Sequence, residues 1–119
     1  MKNLFLILFL PLILFNCTNA SEDDLVDATP LPTIITYTND VKPIIDNNCL
    51  DCHGNPTNNG ASISLVTYDN VKSAIQNNNL ISKINGEGPG GQMPLGRPKL
   101  PQNSIDIIEK WETDGFQEN

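Results

Sequence analysis

The sequence predicts a mainly α domain of three to four short helices joined by long loops. Three observations carry that expectation. Apolar residues recur at i, i+3 and i+4 in two separate stretches, Val41 to Cys49 and Ile105 to Trp111, which is the period of a helix with one buried face. Glycine and proline crowd the intervening chain, above all from Gly86 to Gly96, and mark loop rather than strand. Cys49, Cys52 and His53 stand at i, i+3 and i+4, a spacing that places three reactive side chains on one helical face.

The elements follow in chain order. Residues 1–16 read as a signal peptide: Lys2 precedes an apolar run from Leu4 to Phe15, too short to span a bilayer comfortably. Leu14-Phe15-Asn16-Cys17 resembles the lipobox of bacterial lipoproteins, in which the cysteine becomes the acylated first residue. Cleavage after Ala20, behind Thr18-Asn19-Ala20, is the competing reading. Lipid on Cys17 accounts for an odd cysteine in an oxidising compartment, and several acyl chains would hold the protein to a membrane. Residues 17–33 form a polar tether with an acidic cluster, Ser21-Glu22-Asp23-Asp24, followed by Pro30 and Pro32; nothing in it has an apolar period.

Residues 34–119 are the expected domain. Its first helix is predicted to start at Thr38 or Asn39, both good caps. Val41, Ile44, Ile45 and Cys49 make its apolar face, and Pro43 falls early enough to be tolerated. Gly54 is where the helix stops. Residues 55–60 read as loop, and Ile63 and Leu65 alternate with serines as a short extended segment. A second helix begins at Thr67 or Tyr68, carries Val71, Ala74 and Ile75, and breaks at Asn77-Asn78-Asn79. Leu80, Ile81 and Ile84 form another short apolar unit. The last helix follows Pro101, buries Ile105, Ile108 and Trp111, and ends before Gly115.

Cys49-Leu50-Asp51-Cys52-His53 is also the attachment signature of a c-type haem. Two thiols on one face can add to the two vinyl groups of a porphyrin lying against it, and the imidazole then addresses the iron from the same side. A structural zinc would need further Cys or His ligands, and the only other cysteine is Cys17. A thioredoxin-type pair would need a βαβ setting. The second axial position follows by elimination. His53 is the only histidine, and of the two methionines Met1 leaves with the signal, so Met93 is the one ordinary ligand left. Lys83 and Lys99 are weaker alternatives, because an amine ligand must be neutral. A thioether raises the iron potential relative to a second imidazole, so the expected centre is six-coordinate, low-spin and moderately oxidising. Haem c, with its iron, is thus the expected cofactor.

Composition supports a stapled small domain. Phe5, Phe9 and Phe15 fall in the signal, leaving Tyr37, Tyr68, Trp111 and Phe116 as the aromatic residues of the domain. A core of that size is marginal without a staple, and covalent haem would supply one, so the apoprotein is expected to be largely unfolded. The net charge is −7, and removing Lys2 makes it more negative. Such a surface does not suit nucleic acid and directs attention to partners with basic or neutral faces.

Taken together, the motifs resemble a small monohaem class I-type cytochrome c domain in a bacterial lipoprotein. Asp40 to Ile45 with Cys49-x-x-Cys52-His53-Gly54 is similar to the opening helix of such domains. Tyr68 to Val71 resembles their middle helix. Met93-Pro94, Leu100, Ile105, Ile108, Trp111 and Gly115 resemble their methionine loop and final helix. The resemblance implies haem on Cys49 and Cys52, His53 proximal and Met93 distal to the iron, and first and last helices that cross near the haem. Glu112 departs from the pattern, standing where an aliphatic residue is usual.

The function so implied is electron transfer in the cell envelope, on the periplasmic side or at the cell surface. Redox proteins act as donor and acceptor, the membrane is reached through the N-terminal lipid, and no bond of a substrate is made or broken, so the chain is not expected to be an enzyme. Two alternatives stand beside it: an open-site haem protein, peroxidase-like or gas-sensing, with Gln92 the only distal polar candidate, and a redox docking subunit of a larger envelope complex.

Overall fold

Thr36 opens the first helical segment in an extended conformation, φ −114° and ψ 153°. Its backbone N–H and hydroxyl both donate to Asp40 Oδ2, at 2.8 and 3.3 Å. The computed structural model describes residues 30–119; the signal segment, Cys17 and nearly all of the tether lie outside the described residues. Helix therefore begins earlier than Thr38, because Asp40 caps backward onto Thr36. A π-helical turn, Tyr37–Val41, leads into α1, Lys42–Asn48, with Pro43 in its first turn. A break at Cys49 separates α1 from α2, Leu50–His53, yet Cys49 N–H still donates to Ile45 O at 2.9 Å and His53 N–H to Cys49 O at 2.9 Å. The three pieces make one bent rod from Tyr37 to His53.

Thr67 caps α3, Tyr68–Asn78, accepting from Asn70 N–H at 3.2 Å. Asn79 ends the helix with φ 55°, a left-handed conformation that asparagine tolerates better than most residues. Leu80–Ile84 then forms α4. Helix α5, Gln102–Thr113, starts after Pro101 and stops at Asp114. Gly115, at φ 83°, lets Gly115 N–H reach Glu112 O at 3.1 Å and Phe116 N–H reach Trp111 O at 2.9 Å, the paired bonds of a Schellman stop. Among the described residues the architecture is mainly helical, with five α-helices and no strand. Ile63 and Leu65 are thus not a strand; Leu65 N–H donates to His53 O at 2.7 Å instead of to a neighbouring strand. No helix among the described residues is long and apolar enough to cross a membrane.

The core gathers on α5. Val41, Val71, Ile105, Ile108 and Trp111 are completely buried, and so is Ile35, ahead of the first helix. Trp111 packs its ring against Tyr37, Tyr68 and Phe116 with centroids 5.5, 5.7 and 4.9 Å away. Its indole N–H donates to Gln117 O at 2.8 Å, and Tyr68 donates to Phe116 O at 2.8 Å, so the polar tips of both rings are satisfied. Tyr37 N–H and Thr38 N–H donate to Gln117 O and Glu118 O at 2.8 and 3.0 Å. Both ends of the domain are thereby fastened beside Trp111.

Asp114 completes that fastening. One carboxylate oxygen accepts from Lys110 Nζ at 2.8 Å and the other from Ile35 N–H at 2.9 Å. The Lys110 hydrogen bond first, and the Ile35 amide second, hold the Asp114 carboxyl below the ordinary carboxylate range. A depressed carboxyl stabilises the fold fully above its unfolded value, about 3.9, and that stabilisation is lost as pH falls through the lower folded value. Urea unfolding at pH 7 and near pH 3 tests this. Asp114→Asn should be less stable than the parent at pH 7 and should lose less stability than the parent on acidification.

Candidate functional site

The bent rod delivers Cys49, Cys52 and His53 to one side of a cleft of about 600 Å³, within the roughly 300–1,000 Å³ usual for ligand and cofactor sites. Met93, Pro94 and Leu95 line the same cleft from the loop between α4 and α5. Buried side chains of Leu65, Leu80, Leu100 and Ile108 give it an apolar lining. The four residues that sequence reasoning selects within the domain, Cys49, Cys52, His53 and Met93, therefore meet at one cavity although 40 positions separate the last two.

His53 is held by a bond that no residue pattern announces. Its Nδ1 lies 2.8 Å from Ile63 O. A carbonyl only accepts, so Nδ1 carries a proton, and in the neutral ring Nε2 is the nitrogen with the free lone pair. Leu65 N–H returns to His53 O at 2.7 Å, so residues 63–65 strap both the ring and the backbone of His53. That is where the extended segment spends its polar groups. Gly54 follows because space requires it: a Cβ there would sit 2.9 Å from Leu50 O.

The two thiols are free and half-buried. Burial first, and the neighbouring Cys52 second, push the Cys49 thiol up to about 11, so Cys49 is a neutral thiol at physiological pH in this folded form. Cys49 is therefore not a nucleophile of low pKa, which is the mark of a catalytic cysteine. Asn59 Nδ2 donates to Cys52 Sγ at 3.4 Å.

Met93 owes its place to α4. Its N–H donates to Lys83 O at 2.9 Å, Gly86 N–H to the same carbonyl at 3.1 Å, and Glu87 N–H to Ser82 O at 2.7 Å. Lys83 Nζ donates to Pro89 O at 2.6 Å. The loop thus folds back on the end of the helix it leaves. Gly88 takes φ 89°, and a Cβ there would stand 3.1 Å from the serine Cβ of Ser82; the left-handed backbone and the tight approach both favour glycine. The alternative ligands have other occupations, Lys83 on Pro89 and Lys99 on Gln102 Oε1 at 3.4 Å. Gln92 spends its amide on Arg97 O at 3.1 Å. Arg97 pairs with Asp51 at 2.8 Å and so joins the methionine loop to the turn between the cysteines. Both partners are exposed, so the pair is worth about 0–1 kcal/mol. Glu112 is exposed and does not line the cleft.

Among the described residues no three His, Cys, Asp or Glu side chains converge to hold a bare metal ion, and zinc would need three or four such ligands. The cleft does fit a largely apolar planar group bearing its own metal: two free thiols at its wall, an imidazole whose Nδ1 is bonded to a carbonyl, a thioether, and an apolar patch of leucine and isoleucine side chains. Comparison with protein-family models, curated proteins and solved structures finds no match to this chain.

The close contact at Gly54 gives a test of how the site is positioned. Gly54→Ala forces Leu50 or the following turn to move, at about 1–3 kcal/mol for such overpacking. Thermal unfolding should register that loss, and the His53 ring should lose its restraint, visible as weakened protection of the Nδ1 proton by NMR.

Proposed function

We propose that residues 34–119 form an electron carrier with one covalently attached haem c, exported and held to a membrane of the cell envelope through lipid on Cys17. The observation that carries this reading is the meeting of Cys49, Cys52, His53 and Met93 at one apolar cleft, with His53 already oriented by Ile63 O. Cys49 and Cys52 would hold the group through thioether bonds, and His53 and Met93 would ligate its iron. The haem supplies the one-electron couple; the protein supplies everything that tunes and shields it.

Each residue has a derived part. The Ile63 carbonyl fixes the imidazole ring and makes Nε2 a better donor. The Met93 thioether raises the potential relative to a second imidazole. Leu65, Leu80, Leu100 and Ile108 exclude water, which favours the less charged state of a metal centre. His53 is the only histidine, and its Nδ1 is committed to a carbonyl, so no imidazole is left for acid–base chemistry on the distal side. A redox protein would act as donor, and another as acceptor.

Expression with a haem-ligation apparatus tests the reading. The parent should keep its haem on a denaturing gel, and the Cys49→Ser/Cys52→Ser double variant should not. The oxidised parent should show the far-red methionine-to-iron band, and Met93→Ala should abolish it and become high-spin. A high-spin parent with no such band would instead favour the open-site alternative.

Anchoring has its own measurement. Cys17→Ser should move the protein from the membrane fraction to the soluble fraction. A mature N-terminus at Ser21, read by mass spectrometry, would replace the lipoprotein with a freely diffusing form.

A further inference from the structure

Two Asn-Gly pairs stand in the sequence, Asn59-Gly60 and Asn85-Gly86, and the fold treats them in opposite ways. In such a pair the asparagine carboxamide can react with the backbone nitrogen that follows it, because glycine has no side chain to obstruct the approach. Asn85-Gly86 is locked against that reaction. Gly86 N–H donates to Lys83 O and Asn85 N–H to Ile81 O, both at 3.1 Å. The Asn85 carboxamide donates to Glu109 Oε1 at 2.7 Å and to Ile81 O at 3.3 Å. The nitrogen that would attack and the carboxamide it would attack are both engaged, and the side chain is half-buried.

Asn59-Gly60 is open. The two residues, at φ 53° and 78°, form the centre of a tight turn closed by Ala61 N–H on Asn58 O at 2.9 Å. Gly60 N–H has no partner among the described residues. Both residues are exposed, and a Cβ at Gly60 would meet nothing within 4 Å. The Asn59 carboxamide is held by its bond to Cys52 Sγ at 3.4 Å, and sulfur is a weak acceptor. Bringing Gly60 N onto Asn59 Cγ costs that contact and one turn bond. The same movement at Asn85 would tear the end of α4 and strip a donor from a carboxylate, which is the stronger class of bond.

We infer that Asn59-Gly60 is a site of spontaneous deamidation, by which the folded protein converts an amide on the cleft wall into a carboxylate. Gly60 N attacks Asn59 Cγ and forms the new N–C bond of a five-membered imide. The Cγ–Nδ2 bond breaks, and Nδ2 leaves as ammonia with the proton that Gly60 N gives up. Water then opens the imide at either carbonyl, leaving aspartate or isoaspartate. One amide and one water are consumed, one acid and one ammonia are formed, and nothing is oxidised or reduced.

The product lies on the cleft. Asn59 lines it and donates to Cys52 Sγ, so the reaction removes a donor from that sulfur and sets a negative charge beside it. A negative charge near an iron centre favours the more positive, oxidised state, so the reduction potential falls as the protein ages. This consequence rests on the electron-carrier reading above; the deamidation itself does not.

The test keeps the full chain, matured with haem, folded in mildly alkaline buffer and samples it over weeks. Peptide fragmentation by mass spectrometry should find the acid form at position 59 accumulating more than about tenfold faster than at position 85, the difference that about two extra hydrogen bonds impose. In urea, where no fold distinguishes the pairs, the two rates should agree within about threefold. Asn59→Gln should stay unconverted, since its longer side chain must close a larger and slower ring. Asn59→Asp, which carries the product charge from the start, should have a lower reduction potential than the parent. The inference is overturned if position 85 converts as fast as position 59 in the folded protein, or if position 59 converts only in urea. A potential of Asn59→Asp at or above that of the parent would overturn the redox consequence alone. Failure of the carrier reading looks different: no covalent haem in the sample at any age.

Discussion

Completely burying an indole in so small a domain requires that its one N–H be satisfied and its faces covered, and Trp111 meets both demands by drawing on both ends of the domain. Tyr37 and Phe116 cover its ring, and Gln117 O accepts from its N–H. The same Gln117 carbonyl also accepts from Tyr37 N–H. Aromatic side chains of this size dominate core energetics, so the start of the rod is fixed by what the end of the chain packs onto it. Ile35 and Asp114 extend the fastening by a buried side chain and a charge-assisted bond, stronger than its neutral counterpart. The position of everything further along the rod, including its cysteines, follows from that anchorage.

At its far end the rod is restrained in a different way. No aromatic cluster is available there; two hydrogen bonds between His53 and residues 63–65 do the holding, and Gly54 permits the chain to turn with Leu50 O at the contact limit. The rod therefore has one end fixed by apolar burial and the other by polar geometry. That division matches what each end must do. Burial is non-directional and suits anchorage, whereas the proposed role of His53 would need its ring plane and tautomer fixed, which a directional bond provides.

Much of this was legible in the residues, and the illegible parts share a cause. Helices with an apolar period and the Gly115 stop are local and appear where the sequence predicts them, while the break expected across Asn77-Asn78-Asn79 falls at Asn79 alone, Asn77 and Asn78 staying helical. The first helix begins earlier than expected because Asp40 bonds backward to Thr36, a choice that Thr38 and Asn39 offered equally well from composition. The Ile63 carbonyl and the Asp51–Arg97 pair were invisible: a backbone acceptor carries no side-chain signature, and opposite charges 46 positions apart are uninformative without a fold. Ile35 and Tyr37 were hidden by lying just past a polar tether, where no apolar period is long enough to detect. The candidate site was more legible than its supports, because cysteine, histidine and methionine are few here and elimination works on rare residues.

The methionine loop shows why rarity alone would not have sufficed. A glycine-rich segment such as residues 86–96 is the kind of chain expected to lose the most entropy on ordering, and a thioether on a wandering loop would be a poor ligand. Here Lys83 O accepts from both Gly86 and Met93, so the loop leaves and returns to the same carbonyl at the end of α4. Gly88 serves that closure, passing Ser82 at a tight distance with a left-handed backbone that favours glycine. The thioether is thus positioned by a helix terminus, with the loop as a short detour between two bonds to one acceptor. Rigid placement on both sides of the cleft, from α2 through the Ile63 strap and from α4 through Lys83, limits the rearrangement a centre between them would undergo. For the proposed carrier that restraint, more than any single ligand, is what the fold contributes.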